Sequence, residues 1–360
     1  MTETQSRQSD TDWSKAIAKI LFGKAESKLG IASEAELESL VAQAKANKAL
    51  ARTLIQVEGL TNRIERLLDG IRHEVADQLD DSLRLLTDAQ KICMEMGVPF
   101  AVLKSFDALP DVGHDIDLLV GRNLRNVRSM ILKRFNCSAV TLTFCDRQAG
   151  KFSTFVQGFH SDLELYTRFS QLGEEYVPVD QVLERRVSFQ LAEGFTYLCC
   201  QEDRLIITCI HTLYRHGRIR LSDLGIAYES LKAGLDVRKI LETVESAGVS
   251  RGFAVFITIL DRTFKEMIGE DPIPFPIRSY VNRILAGDRV LALLMDMMER
   301  RFPLKVPVLI TALLFLYKGA SDLSQSCVQS GLRSLTAPFL LALDKVVPLR
   351  FQKAIGVRIW

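Results

Sequence analysis

The sequence lacks several features that would assign a chemistry or a cellular setting directly. Its seven cysteines are an odd number, include no Cys-x-x-Cys pair and mostly sit in apolar runs. Free cysteine in such runs behaves as a small hydrophobic residue, so we expect a reducing compartment and neither a zinc site nor a thiol nucleophile. The first dozen residues contain no apolar stretch typical of a secretory signal. These absences together predict a cytoplasmic location.

A long apolar run is also missing. The run from Val306 to Tyr317 has 12 residues and lies between Lys305 and Lys318. As a helix it would extend about 18 Å, well short of the roughly 30 Å hydrocarbon core of a bilayer. We therefore expect no transmembrane helix here and favour a helix of the protein core. The alternative is an element at an interface, in contact with a membrane surface or a partner.

The charge of the chain is nearly balanced as a whole but not along its length. The 360 residues are 25% charged and 48% hydrophobic, with a net charge of +2, which is typical of a globular protein with more than one core. Residues 1–100 carry a net charge of −3 and residues 278–360 a net charge of +7. The basic C-terminal part could contact an acidic partner such as RNA or a membrane surface. No aromatic-rich stacking platform accompanies that charge.

Two acidic residues at the start of an apolar run are the most informative feature of the sequence. Phe100 to Leu103 and Ile116 to Val120 are short apolar runs that predict strands, joined by a polar loop with proline and glycine. In a strand, Asp115 and Asp117 would lie on one face, roughly 6–7 Å apart. Two carboxylates on a buried strand repel each other and lose hydration, and a divalent cation removes that cost. The pattern therefore predicts a Mg²⁺ site, with a structural strand end as the alternative.

The spacing of these residues resembles a known signature. Lys104-Ser105, nine further residues and Asp-Ile-Asp-Leu are similar to the motif of the DNA-polymerase-β-like nucleotidyltransferase superfamily, in which a Gly-Gly or Gly-Ser pair precedes an Asp-x-Asp pair. Lys104 stands where that superfamily usually has glycine, and this opening looks like one branch, a family of uncharacterised bacterial and archaeal nucleotidyltransferases. The resemblance implies that Ser105 positions nucleotide phosphate and that Asp115 and Asp117 hold metal. Lys104 would neutralise phosphate or pair with a carboxylate.

The same resemblance implies a third carboxylate on a later strand. The stretch from Phe159 to Tyr166 predicts such a strand, and Asp162 and Glu164 share one face of it. Either residue could be the ligand. We favour Asp162, because the family has aspartate at the first position and histidine, here replaced by Glu164, at the second. A surface salt-bridge face is the alternative interpretation.

A second match lies further along the chain. The segment from Gln201 to Gly217 predicts a helix with acidic residues in its first turn and His216-Gly217 at its end. With the Leu-Ser-Asp that follows, it resembles the second domain of the same family. His211 and His216 are five residues apart, so we expect that they do not share a helical face well and do not bind metal as a pair. Nearby arginines could hold triphosphate or form a solvated basic edge.

These features predict an α+β fold with a nucleotidyltransferase mixed-sheet core flanked by N-terminal and C-terminal helical regions. The predicted divisions are a disordered segment 1–12, an N-terminal helical region 13–98, a catalytic core 99–170, a helical domain 171–270 and an apolar, basic helical region 271–360. The predicted activity is transfer of a nucleoside monophosphate from an NTP to an RNA, small-molecule or protein acceptor, with release of pyrophosphate. Asp115, Asp117 and Asp162 would hold two Mg²⁺ ions. The alternatives are an inactive nucleotide-binding or regulatory protein of the same fold and a scaffold at the membrane surface.

Overall fold

The computed structural model describes residues 12–25, 28–104, 110–111, 113, 115–121, 123–139, 150–171, 174–191, 194–298 and 301–346. Most of the predicted disordered segment 1–12 and the predicted phosphate-binding Ser105 lie outside these residues. The helices are α1 (Ser14–Leu21), α2 (Glu34–Ala46), α3 (Leu50–Ile55), α4 (Asn62–Glu95), α5 (Leu124–Arg134), α6 (Val179–Glu184), α7 (Gln201–Ile210), a π-helix (His211–His216), α8 (Leu221–Lys232), α9 (Val237–Ser246), α10 (Ser250–Met267), α11 (Phe275–Ala286), α12 (Arg289–Asp296), α13 (Val308–Ser324) and α14 (Val328–Val346).

The strands of the described residues form one large mixed sheet and three strand pairs. They are β1 (Leu29–Ile31), β2 (Val57–Gly59), β3 (Phe100–Val102), β4 (Asp115–Val120), β5 (Ser138–Ala139), β6 (Lys151–Phe155), β7 (Asp162–Tyr166), β8 (Phe169–Gln171), β9 (Glu174–Val177), β10 (Val187–Leu191), β11 (Gly194–Leu198), β12 (Arg218–Ile219) and β13 (Leu304–Lys305). The large sheet has the order β10-β11-β3-β4-β7-β6-β5. Strand β4 is antiparallel to β3 and parallel to β7. The chain is therefore a mixed α/β protein, which is compatible with the predicted α+β class.

The central strand β4 is covered on both faces by apolar packing. Ile116 and Leu118 are buried in a core with the second half of α4 and with α5, as their alternation predicted. Leu119 belongs to a second core, which contains the helices of the N-terminal and C-terminal parts of the chain. Because side chains alternate across a strand, Asp117 lies on the same face as Leu119. The carboxylates therefore face the helical part of the molecule.

The N-terminal part of the chain is mostly helical. Helix α2 begins with a capping box, in which Ser33 and Glu36 bond reciprocally to each other's backbone N–H groups. Helix α4 is continuous from Asn62 to Glu95, with Gly70 inside the helix. The residues between α1 and α4 also supply the short parallel pair β1–β2, which the sequence pattern did not indicate.

The sheet continues beyond residue 170, where the sequence predicted the end of the core. The hairpin β10–β11 joins the sheet through Leu198, which is paired with Val102 of β3. The hairpin is hard to detect because Val187, Ser188 and Phe195 are exposed and its periodicity is weak.

The C-terminal helices bury one side and expose the other. In α13, Ile310, Leu314 and Phe315 are buried, whereas Val308 and Leu309 are exposed. Lys318, which the sequence analysis placed at the polar end of this run, is buried and donates to Asp322 at 2.7 Å. Within the described residues, none of the helices has both the length and the apolar character needed to cross a membrane.

Candidate metal and nucleotide site

Three carboxylates come together where β4 and β7 begin. One oxygen each of Asp115, Asp117 and Glu164 lies within 4.8 Å of the others. The parallel register produces this group, because it pairs Asp115 with Asp162 and Asp117 with Glu164. Paired residues of neighbouring strands project to the same face of a sheet. The predicted pair of aspartates is therefore placed as expected, on one face and beside an acidic neighbour.

The third member of the group is Glu164, and Asp162 is not part of it. The sequence allows either residue as the ligand, and the resemblance favours Asp162. In the register, Glu164 lies directly beside Asp117, the more deeply buried aspartate, whereas Asp162 lies beside Asp115 at the start of both strands. The longer side chain of glutamate also extends its carboxylate further from the strand. Asp162 as a metal ligand remains a prediction that a comparison of variants can test.

Asp117 is fully buried and carries an unusual carboxylate. Its side chain is 0% exposed, and neither of its oxygens accepts a hydrogen bond from any described residue. Burial, partly opposed by Lys104, raises the pKa of Asp117 from 3.8 to about 6. A buried charged group without hydrogen bonds is costly, so such groups are normally paired or coordinate a metal.

Each of the three carboxylates has its own lysine. Lys48 Nζ is 3.8 Å from Asp115 Oδ1, Lys104 Nζ is 3.0 Å from Asp117 Oδ2 and Lys151 Nζ is 2.5 Å from Glu164 Oε1, and we call these residues the three counter-ion lysines. Lys104 approaches Asp117 outside hydrogen-bonding geometry and bonds instead with Nε2 of His211 at 3.2 Å. Burial alone would lower the pKa of Lys104, but Asp117 and Asp115 outweigh it and the net pKa is raised. Lys104 therefore stays charged beside the aspartates.

Glu164 is held more firmly than Asp117. Besides Lys151, it accepts hydrogen bonds from Ser153 Oγ at 3.3 Å and from Tyr166 Oη at 2.9 Å. Tyr166 in turn accepts from Arg215 of the π-helix at 3.1 Å. This network orients the Glu164 carboxylate, whereas Asp117 has no hydrogen bond from a described residue that fixes its oxygens.

Lys48 and Asp111 belong to the site although the sequence analysis did not single them out. Lys48 follows α2 and has a positive φ of 51°, a conformation that is uncommon for residues other than glycine. Asp111, which is buried in the loop before β4, accepts from Ala51 N at 2.7 Å and from Arg52 Nε at 2.5 Å. It thus fixes the loop to the start of α3. Neither residue has a local pattern that reveals its role, because both contacts join segments about 60 residues apart.

The π-helix brings together two histidines that the sequence analysis placed on different faces. His211 and His216 are five residues apart, and their Nε2 atoms are 3.1 Å from each other. The expectation that they do not share a helical face was wrong because it assumed α-helical geometry, whereas a π-helix bonds residues i and i+5 and aligns them. Burial and nearby Lys104 lower the pKa of His211 well below its usual range. The pKa of His216, at the exposed end of the π-helix, is also lowered, by partial burial and Lys104. Both rings are therefore neutral at physiological pH.

A small basic cavity of about 50 Å³ adjoins the carboxylates. Its lining includes the cationic side chains of Lys48, Lys104 and Arg220, together with His211 and the carboxylates of Asp111 and Asp223. Burial lowers the pKa of Lys48, and the attraction of Asp115 only partly offsets this. An anion bound here would stabilise the ammonium group. A larger surface cavity of about 760 Å³ lies at the other end of β4, beside Gly121 and Asn123, away from the three carboxylates.

The site combines hard anionic ligands with cationic side chains. Carboxylate oxygens are the ligands that Mg²⁺ prefers, and the buried Asp117, which has an ion pair with Lys104 at 3.0 Å, lies beside two further carboxylates. Asp115, Asp117 and Glu164 could therefore hold a divalent cation. The adjoining lysines and Arg220 could bind the phosphates that such a cation carries in nucleotide sites.

Comparisons with known proteins give weak structural likenesses. No family model matches the chain, and no curated protein matches it. Among solved structures, one titled "tRNA-processing enzyme (apo form I)" is 14% identical with a TM-score of 0.28, over 77% of this chain and 78% of that chain. Another is a tRNA nucleotidyltransferase complexed with a primer tRNA and an incoming ATP analogue. It is 12% identical with a TM-score of 0.20, over 76% of this chain and 100% of that chain.

Proposed function

We propose that this protein is a metal-dependent nucleotidyltransferase that moves a nucleoside monophosphate from an NTP to an acceptor hydroxyl. The observation that carries the proposal is the group of Asp115, Asp117 and Glu164, in which a fully buried aspartate makes no hydrogen bond with a described residue. Three carboxylates at the start of neighbouring parallel strands, beside a cationic cavity, suit a bound metal–triphosphate complex. The acidic residues of the sequence motif support nucleotidyl transfer, and the parallel pairing of β4 and β7 supports it independently.

The proposed reaction needs no protein nucleophile. The acceptor oxygen attacks the α-phosphorus, the bond between the α-phosphorus and the bridging oxygen breaks, and pyrophosphate leaves as the acceptor loses its proton. A divalent cation such as Mg²⁺ supplies charge stabilisation to the attacking and leaving oxygens. Asp115, Asp117 and Glu164 would hold it, and whether one or two ions bind belongs to the test. Asp162 enters the proposal as the alternative third ligand.

The cationic side chains bind and orient the substrate in this proposal. Lys104 and Lys48 line the cavity beside the carboxylates and contact the phosphates, together with Arg220. The predicted phosphate contact of Ser105 belongs to the same proposal. His211 accepts a hydrogen bond from Lys104 and so directs its ammonium group. Tyr166, Ser153 and Lys151 orient Glu164. Burial of Asp117 keeps water away from its carboxylate.

A test follows from the two aspartates. Wild-type protein with Mg²⁺ should release pyrophosphate from at least one of the four NTPs when a cell extract supplies acceptors. Asp115→Asn and Asp117→Asn should each lower the rate at least a hundredfold, because the oxygen ligands lose their negative charge. Asp296→Asn, which removes an exposed carboxylate paired with Arg262, should leave the rate unchanged. Equal rates in all four proteins would contradict the proposal.

The acceptor determines the biological role, and the same assay identifies it. Radiolabelled NTP transfers its label to the acceptor, so the size and nuclease sensitivity of the labelled product distinguish RNA from a small molecule or a protein. The tRNA bound by one weak structural neighbour makes tRNA the first candidate to add. A product that resists nuclease and protease would point to a small hydroxyl compound.

The counter-ion lysines favour a second candidate function. Because each carboxylate has a lysine, the group can be stable without metal, as in a nucleotide-binding regulatory protein that does not turn over. Such a protein would bind an NTP with its phosphates at the basic cavity and without releasing pyrophosphate. Binding of a radiolabelled NTP that is abolished by Arg220→Ala, with no pyrophosphate from any NTP, would establish this second function.

A further inference from the structure

The counter-ion lysines come from three separate parts of the chain. Lys48 follows α2, Lys104 follows β3 and Lys151 begins β6, yet each ends beside a different carboxylate of the metal group. With the three carboxylates ionised, these six groups have no net charge. A divalent cation that approaches alone therefore meets three ammonium groups together with its ligands. The attraction of the carboxylates is largely cancelled.

A nucleotide changes this balance because it brings its own negative charge. The phosphates of an NTP can bind the ammonium groups, and the carboxylates then become available to the cation. We propose that Lys48 and Lys104 are positioning residues that make cation binding by Asp115, Asp117 and Glu164 depend on the triphosphate. This inference rests on the proposed function and adds an order to it: metal and nucleotide bind together, and free metal binds weakly.

The surroundings of the lysines show which of them can exchange partners. The side chains of Lys48 and Lys104 are 31% and 22% exposed, and both line the basic cavity. Lys48 Nζ lies 3.8 Å from Asp115 Oδ1, and Lys104 forms an ion pair with Asp117 outside hydrogen-bonding geometry. Lys151 is only 11% exposed and lies 2.5 Å from Glu164. In this proposal the ammonium groups of Lys48 and Lys104 therefore bind phosphate, and that of Lys151 remains paired with Glu164.

The backbone around Lys48 supports a specific role for its side chain. Lys48 adopts a positive φ of 51°, which glycine would adopt at lower cost. A Cβ atom at Gly113 would lie 3.1 Å from Lys48 Nζ and 3.0 Å from Asp115 Oδ1, so a larger residue there would crowd the ends of both side chains. The neighbouring residue Asn47 is fully buried and holds this turn in place. The chain thus maintains an unfavourable conformation that delivers an ammonium group to Asp115.

Binding of Mn²⁺ tests the inference without any turnover. Full-length protein is treated with EDTA, exchanged into buffer and titrated with Mn²⁺, alone or with inorganic tripolyphosphate, which avoids a choice of nucleobase. Manganese retained with the protein on ultrafiltration is measured by electron paramagnetic resonance. Asp117→Asn gives the background retained outside the site. For the wild type, tripolyphosphate should tighten Mn²⁺ binding at least tenfold.

Lysine variants separate the counter-ion role from a structural one. Lys48→Met and Lys104→Met should each bind Mn²⁺ alone at least tenfold more tightly than wild type, since a repulsive charge is removed. Lys104→Arg, which keeps that charge, should resemble wild type. Lys91→Met is the matched control, because Lys91 is exposed on α4 and pairs with Asp88 at 3.5 Å. A purely structural lysine would not tighten metal binding when it is removed.

The outcomes distinguish this inference from the proposed function. Equal Mn²⁺ affinity of the wild type with and without tripolyphosphate overturns the inference, and it does so even if a methionine variant does not fold. If the wild type still releases pyrophosphate from an NTP, the proposed function stands without this inference. No Mn²⁺ retained above the Asp117→Asn background in either condition overturns both. Folded methionine variants with unchanged Mn²⁺ affinity also overturn the inference.

Discussion

The Asp117 carboxylate is the single group whose surroundings say most about this protein. It is buried, it makes no hydrogen bond with a described residue, and its nearest cation is Lys104 at 3.0 Å. The sequence predicted repulsion between Asp115 and Asp117 and loss of hydration as the costs that metal relieves. In the structure, desolvation is the largest cause of the raised pKa of Asp117. Repulsion by Asp115 contributes less than burial does.

The raised pKa predicts how the stability of the metal-free protein changes with pH. Folding raises the pKa of Asp117 from 3.8 to about 6, so the folded state binds this proton more tightly than the unfolded state. Below pH 3.8 both states are protonated, and above pH 6 both are ionised. Between these values the wild type should lose about 3 kcal/mol of stability relative to Asp117→Asn as the pH rises.

Urea unfolding of both proteins in EDTA at several values between pH 4 and pH 7 measures this difference. Because the pKa values of His211 and His216 are lowered, both proteins lose stability as the pH falls. This loss is the same in both proteins and cancels in the difference between their free energies of unfolding. Addition of Mg²⁺ with tripolyphosphate at pH 7 should restore stability to the wild type alone. A difference that does not vary with pH would mean that Asp117 titrates normally.

At the scale of secondary structure, the site depends on the parallel pairing of β4 and β7. The sequence predicted both strands and the shared face of Asp115 and Asp117, because alternation along a strand is a local property. It could not decide between Asp162 and Glu164, since both lie on one face and only the register relates them to the aspartates. The π-helix was also beyond prediction. An extra residue per turn leaves no mark in an otherwise α-helical pattern.

The register predicts the ranking of two variants in a turnover assay. Glu164→Gln removes a carboxylate of the metal group and should lower pyrophosphate release at least a hundredfold. Asp162→Asn, one pair earlier on the same strand, should reduce it by less than tenfold. Both changes nearly preserve side-chain size, and thermal unfolding of each variant checks that β7 is intact. The reverse ranking would establish Asp162 as the third ligand, as the sequence analysis favoured.

At the scale of the molecule, the site is assembled from segments far apart in sequence. Asn47 accepts a hydrogen bond from Leu221 N at 3.1 Å, and its own carbonyl accepts from Ser222 N at 3.3 Å. It thus joins the end of α2 to the start of α8, directly beside Lys48. The sequence predicted the helical regions, but no local pattern in it predicts which of their ends meet. That information lies in contacts such as Asn47 with Leu221.

Removal of the Asn47 side chain should weaken the whole structure. Asn47→Ala leaves the buried N–H of Leu221 without its acceptor, which should lower the free energy of unfolding by about 1–3 kcal/mol. The affinity for tripolyphosphate should also fall, because Lys48 loses the neighbour that holds its turn. Urea unfolding and calorimetry measure the two effects. Asn282→Ala, at an exposed position of α11, should change neither, and an equal loss in both variants would contradict the role of Asn47.

The basic C-terminal region allows a test of RNA as the acceptor. Arg289, Arg301 and Lys305 are exposed, and their reversal to glutamate should weaken RNA binding and leave the affinity for NTP unchanged. Lys318 is unsuitable for this test because it is buried with Asp322. In wild-type protein, the log–log slope of RNA affinity against salt should be about −0.7 to −0.9 per phosphate contact.

Filter binding of a tRNA at several salt concentrations measures that slope. Lys91→Glu, a reversal in the acidic N-terminal part, is the control and should change RNA binding little. If the wild type retains no RNA even at low salt, the acceptor is a small molecule or a protein. Such a result would leave the nucleotidyl transfer proposal itself intact.

The turn that carries Lys48 also limits how this site can be altered by recombination. An exchange of residues 99–170 between two related chains would transfer the aspartates, Lys104 and Lys151 but leave Lys48 and Arg220 behind. The hybrid would then combine ligands from one parent with a counter-ion from the other. Viable exchanges should keep Lys48, Asp115 and Arg220 from the same parent. Lys48, the sheet residues and Arg220 should therefore be inherited together. In a library of chimeras, the viable members should have the residues at positions 48 and 115 from the same parent.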